Sequence, residues 1–463
     1  MLILFFIPFA LCIIALIVPQ QYVKKASFAL SLIPLAALLF WNNQWIGTAV
    51  QYSWFPVLSI QFSLGIDSLA LLFLYLTAVI IPIVIISTPK DISYPQAFYS
   101  LVFLLEGLLF GFFTSRDLAF FAFFWEAMLL PLYFIITLWG GPKRESAAFK
   151  FLIYMIAGSS LMVAAVLAVY LTAGTFNINE LAGSATKSAY TPWFFLIFFL
   201  AFAVKTPLFP FHAWLPDTYY QASTSGTILL SALLSKAGIF GFLRIGNGIF
   251  LNEMIHWSPW MTALAITGVF YGGFAAWMQN DYKRLIAYSS FSHVNFILAG
   301  VFVWNAAAQS GAILQAINHG ITITALFLVA GWLDRRIGTT LIGQYKGVAK
   351  TLPKLCWLTL FFVLSSVALP GTNSFIGELL ILFGLFKINA LWAVVLTTTV
   401  VLSVMYMLKW MQKVYFEEPI PFNNSVGDIR LKEFLIASPL VFLILWIGIY
   451  PEPLLTLTQG SFW

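Results

Sequence analysis

AFAVKTPLFPFHAWLPD, residues 201–217, ends an apolar run on Lys205 and follows it at once with Pro207 and Pro210. An ammonium at mid-membrane depth costs roughly 2.5–3.5 kcal/mol on insertion scales, so a retained lysine is normally paired or used. The prolines free backbone carbonyls and open a local gap, and in transporters such gaps hold ions and water. The stretch therefore reads as a proton site in a broken membrane helix.

The rest of the chain supports a membrane setting. Of 463 residues, 61% are hydrophobic and 9% charged, and the mean hydropathy of +0.93 excludes a soluble protein. An all-α integral membrane protein is expected. A window of about 19 residues resolves fourteen apolar segments, the seventh (193–207) and twelfth (355–386) carrying internal breaks, the latter at Pro370-Gly371. These breaks are five segments apart, an odd number, so a five-helix unit that repeats would be inverted. The expected organisation is three helices in 1–97, a first five-helix repeat in 98–246 (helices four to eight), a second in 247–416 (nine to thirteen), and a last helix in 417–463. The polar stretches between segments are too short to fold alone. Cys12 and Cys356 lie in or beside apolar segments and suggest neither a disulfide nor a metal site.

Loop charge predicts orientation. Alternate loops hold sixteen basic residues, among them Lys24, Lys143, Arg144, Lys346 and Lys432, against four, Arg116, Lys187, Arg244 and Lys387, in the opposite set. This bias predicts both termini outside, on the periplasmic side of a bacterial inner membrane or its equivalent. It also accounts for the net charge of +6 without any nucleic-acid partner.

Charges at segment centres carry the chemistry, because only they bear the desolvation cost. Glu126, in FFAFFWEAMLLP, is too short to reach the surface and is expected to pair with Lys205; opposite charges about 4 Å apart attract by several kcal/mol where the dielectric is low. Lys236, in LLSALLSKAGIFGF, has Ser231 and Ser235 near it and small residues, Ala237 and Gly238, that allow close helix approach. Desolvation disfavours its charged form, which suits a proton carrier. His293 and His319 fall mid-segment in polar-lined stretches, where an imidazole can both accept and donate. Glu378 follows the second break, beside Thr372, Asn373 and Ser374, a polar patch tolerated at depth if it lines a cavity or is buried in protein. Glu106, Lys409, His212 and Asp217 stand as accessory candidates, Glu106 as an interhelical hydrogen-bonding residue and Lys409 as the alternative end of the route.

FFWEAMLLPLYFII, AFAVKTPLFPFHAWLPD, SALLSKAGIFGFLR, QNDYKRLIAYSSFSHVNFI and ALPGTNSFIGELLIL together resemble the antiporter-like subunits of respiratory complex I and of Mrp-type cation/proton antiporters, over residues 68–415. The resemblance implies that Glu126 and Lys205 form the paired charges, Lys236 connects, His293 and His319 make a central polar axis, and Glu378 ends the route. It implies a proton-translocating membrane subunit of an NADH:quinone oxidoreductase with no cofactor of its own, NADH, FMN, iron–sulfur clusters and quinone being held by other subunits. Its implied partners are the lipid bilayer and other membrane subunits, including two paralogous antiporter-like chains. An Mrp-type Na⁺/H⁺ antiporter subunit, or the same module in a membrane-bound hydrogenase or ferredoxin-linked photosynthetic complex, is the alternative.

Overall fold

The computed structural model describes residues 1–184, 188–419 and 427–460. Lys187, counted above in the loop bias, and the C-terminal Trp463 lie outside the described residues. The chain is mostly helical. Among the described residues ten helices are long and apolar enough to cross a membrane, and three shorter apolar helices, Leu2–Ile17, Thr191–Lys205 and Pro353–Ser366, accompany them.

Helix starts follow from capping chemistry. Asp67 accepts from the N–H of Ala70, Asp117 from those of Ala119 and Phe120, and Asp281 from that of Arg284, each satisfying donors that a first helical turn leaves orphaned. Asn305 does the same for Ala307 and Ala308. Two long helices, Arg144–Ala173 and Ala306–Ile337, stop at Gly174 and Gly338, whose φ of 73° and 80° suit a left-handed C-cap.

The all-α expectation misses one element. Ala49–Phe55 and Ile60–Gly65 pair as an antiparallel hairpin, Ala49 opposite Gly65, around a short turn at Pro56–Leu58. Tyr52, Trp54, Phe55, Phe62 and neighbouring Val50 and Ile60 are strand-favouring types, a signal masked in the sequence by the polar composition around them.

By internal packing the chain divides into two compact units, one of Met1–Thr206 and Gln221–Pro259, the other of Pro207–Tyr220 and Trp260–Gln459. In the first, the buried span Ser68–Ser87 packs against Pro95–Thr114, and Thr191–Lys205 packs along Arg144–Ala173. In the second, Ala306–Ile337 is the central helix, buried along its span and flanked by Tyr282–Phe302, Pro353–Ser366 and Asn373–Ile388.

Candidate functional site

In the first unit, Leu118–Ala127 and Leu129–Trp139 are separated at Met128. Pro131 has no N–H to return to Ala127, and the ladder lapses there, leaving the last carbonyls of the first helix to find other donors. Lys205 supplies one. It is the last residue of Thr191–Lys205, 2% exposed, and its Nζ donates to the Trp125 carbonyl at 2.7 Å while standing 3.8 Å from the centre of the Trp125 ring. No ion pair within 4.0 Å joins it to Glu126; the two charges act on each other from farther away, with Glu126 half-buried and also near Ser159. The close pair expected from the sequence is thus open here, because the freed carbonyl one residue before Glu126 takes the ammonium.

Lys236 is wholly buried in the short helix Ser235–Gly241, which lies between two π-helical segments, Leu229–Leu234 and Phe242–Gly246. In the first π segment the Ser235 N–H reaches Leu230 instead of Ser231. The Ser231 carbonyl therefore turns to side chains: Lys236 Nζ at 2.7 Å and Ser235 Oγ at 2.8 Å. Segments with this widened turn are often functional sites. The helix is held close by Gly238, where a Cβ would overlap Thr206 Oγ1 and come within 3.0 Å of the Thr206 nitrogen. Thr206 is the residue after Lys205, so this contact sets the spacing of the two lysines.

In the second unit, Glu378 Oε1 lies 3.4 Å from His293 Nδ1 and accepts from Gln315 Nε2 at 3.1 Å. His319 has its ring centre 6.0 Å from that of His293. His293, Gln315 and His319 border a small cavity whose walls also include Ser289, Thr322, Ile323, Leu326, Ser366 and Ser374, with about 10 Å³ of room for the centre of a water molecule. That is enough for about one water. Among the described residues, His293 Nε2, Gln315 Oε1 and Ser366 Oγ are buried there without a protein hydrogen bond, and they are the polar partners such a water needs.

Asparagines secure the non-helical stretches. Asn318 and Asn373 exchange hydrogen bonds with each other's carbonyls at 2.7 and 3.2 Å, which fixes the start of Asn373–Ile388 and so the depth of Glu378. Asn295 donates to the Pro207 carbonyl at 3.2 Å and accepts from the Phe209 N–H at 3.4 Å. Backbone outside regular helix is tolerated at depth only when protein or water satisfies it in this way.

The accessory candidates divide. Lys409 donates to the Trp277 carbonyl at 3.4 Å with its Nζ 4.8 Å from that ring. His212 stacks among Phe209, Tyr271 and Phe291, and Asp217 is held by Arg284 at 3.2 Å, both partly exposed, an ordinary surface pair. Glu106 is fully buried, yet neither carboxylate oxygen has a hydrogen-bond partner among the described residues, which corrects the expectation of an interhelical hydrogen bond.

One charged cluster was not anticipated. Arg244, counted as a loop residue, is 1% exposed and grips Asp67 with two nitrogens at 2.5 and 2.9 Å, while Arg116 adds a third contact at 3.0 Å. Burial alone would raise the Asp67 carboxyl, but the two guanidinium groups bring it down to about 2. Asp117 is the reverse: burial outweighs its three backbone donors and pushes it up to about 6. Gln315 was also missed, although Gln315, Asn318, His319 and Thr322 form one polar stripe at helical spacing on an otherwise apolar helix, a signal readable in advance.

Residues 115–405 match the family described as "NADH:quinone oxidoreductase/Mrp antiporter, TM". NADH-quinone oxidoreductase subunit M of Escherichia coli (strain K12) is 36% identical over 88% of this chain and 83% of its own length. A chain of respiratory complex I from Thermus thermophilus superposes with a TM-score of 0.90 at 30% identity, covering 99% of this chain and 98% of that one. The Mrp complex from Dietzia sp. DQ12-45-1b contains a chain of the same fold, with a TM-score of 0.89 at 21% identity over 99% of this chain and 96% of that one. With most of its length matched and its lysines, histidines and glutamate set as described, this chain belongs to the NADH:quinone oxidoreductase/Mrp antiporter transmembrane family.

Proposed function

We propose that the chain is the subunit M or chain 4 type of membrane subunit in an NADH:quinone oxidoreductase, and that it moves protons through Glu126, Lys205, Lys236, His293, His319 and Glu378. The observation that carries this is the contact of Glu378 with His293 beside a water-sized cavity, in a chain whose relatives bear that name. An imidazole nitrogen 3.4 Å from a carboxylate can pass a proton to it directly or through one water. In the first unit, carbonyl and ring hold the Lys205 nitrogen, and the distance to Glu126 sets how readily it gives up a proton. The proposed order of transfer is the Glu126 and Lys205 pair, Lys236, the two histidines, then Glu378. Quinone reduction elsewhere in the complex drives the opening and closing of that pair; NADH, FMN, iron–sulfur clusters and quinone are bound by other subunits.

The fourteen-span count, the two inverted repeats in 98–246 and 247–416, and the discontinuous seventh and twelfth spans belong to the same proposal. Helix length supports it: 15 residues in Thr191–Lys205 extend about 22 Å, short of a hydrocarbon core about 30 Å thick, so Lys205 would stop inside the membrane. Periplasmic termini, an inner-membrane location and two paralogous antiporter-like neighbours complete the reading. Purification in mild detergent tests it. Soluble flavin- and iron–sulfur-binding subunits should accompany the chain and the complex should acidify one side of proteoliposomes without sodium; small multi-helix antiporter chains with sodium-dependent exchange would instead make it an Mrp subunit.

A further inference from the structure

Trp125 is 1% exposed and enclosed by Phe112, Phe121 and Phe202 at ring separations of 5.8, 6.4 and 5.6 Å. Phe202 stands one turn before Lys205 on the same helix, so the aromatic collar that encloses Trp125 also dries the lysine. An ammonium has three N–H donors and no acceptor. One goes to the Trp125 carbonyl at 2.7 Å, and the indole face, 3.8 Å from Nζ to its centre, meets the same charge. A cation over an indole is held most strongly where water is excluded. The arrangement recurs in the second unit, where Lys409 meets both the carbonyl and the ring of Trp277, the last residue of the helix Leu251–Trp277. In both places a tryptophan at or near a helix end, whose carbonyl lacks a following turn, doubles as a ring platform for a lysine from another helix.

We infer that Trp125 is a positioning residue: its carbonyl and ring face together form the seat that the Lys205 ammonium occupies when separated from Glu126. The inference rests on the proposed proton route and adds to it the group that stabilises the open state. The carbonyl is present whatever residue stands at 125; the ring face is the part that side-chain chemistry can tune. Weakening the face lowers the share of open pairs and slows proton transfer, whereas the volume that Trp125 fills would be kept by any ring of its size.

The test separates those roles. Fluorination strips negative charge from the indole face with little change in shape, so tryptophan, then mono-, di-, tri- and tetrafluorotryptophan, placed only at codon 125 among the 17 tryptophans, grades the attraction alone. In the whole complex, reconstituted in proteoliposomes, proton pumping should fall stepwise along the series, by about three- to tenfold in total. Trp125→Phe, which keeps an aromatic face, should pump better than Trp125→Leu. Lys205→Ala is measured alongside. Pumping that stays flat or rises along the fluorine series, while Lys205→Ala is inactive, overturns the seat. Wild-type pumping in Lys205→Ala overturns the proposed route on which the seat rests.

Discussion

His293 Nδ1 lies 3.4 Å from Glu378 Oε1, and Gln315 donates to the same oxygen at 3.1 Å. The carboxylate is thereby held between a neutral amide donor and an imidazole ring.

Replacing Glu378 by Gln keeps the volume and a carbonyl acceptor while removing the titration. Quinone-linked turnover and proton uptake by vesicles should fall together by at least about tenfold, while electron transfer to an artificial acceptor, read in the same preparation, persists. Wild-type pumping stoichiometry in this variant would move the end of the route to Lys409.

Gly238→Ala should be costly out of proportion to its single methyl. The added Cβ overlaps Thr206 Oγ1 and also lies 2.9 and 3.0 Å from the Thr206 Cβ and nitrogen, so the two helices must part. A loss of about 1–3 kcal/mol is expected in detergent unfolding, with slower pumping because Lys205 and Lys236 move apart. Thr206→Ala in the same chain should recover only part of the loss, since the backbone nitrogen remains in the way.

Asp67→Asn should destabilise the first unit by about 3 kcal/mol, because it leaves Arg244 buried at 1% exposure without its carboxylate. The sign of the pH effect follows from a lowered carboxyl: its contribution is present above the unfolded value of 3.8 and is lost as pH falls through about 2. Asp117, raised to about 6, works oppositely; its contribution is complete below 3.8 and disappears as pH rises through about 6. Thermal unfolding of purified protein between pH 4 and 7 should therefore lose part of its downward slope in Asp117→Asn and keep it in Asp67→Asn.

Cysteines introduced at Lys143 and at Gln459 should react with an impermeant maleimide from opposite faces of oriented vesicles, Lys143 from the cytoplasmic side. Labelling of both from one face would contradict the orientation read from loop charge.

Much of this architecture was legible because membrane burial makes charge rare. Lys205, Lys236, His319 and Glu378 stood out against apolar sequence and are all buried. What escaped the reading depended on partners far along the chain or on backbone geometry. Asp67 and Arg244 are 177 residues apart, and nothing local marks either as the other's counter-ion. The widened turns around Lys236, LLSALL and FLRIG, read like the rest of the apolar span and do not mark themselves in the sequence. Lys205 takes a main-chain carbonyl, an acceptor that every residue offers and no sequence singles out.

The π segment Leu229–Leu234 has a consequence for insertions and deletions. Such a segment amounts to an α-helix with one residue too many, the surplus absorbed as a bulge. Deleting one residue from an ordinary helix turns everything downstream by about 100°. Deleting one from 229–234 instead returns the helix to regular winding with both flanks still facing their old neighbours. The helix would survive the shortening, and the loss would fall on one atom: the Ser231 oxygen, reclaimed by the backbone, would no longer be there for Lys236.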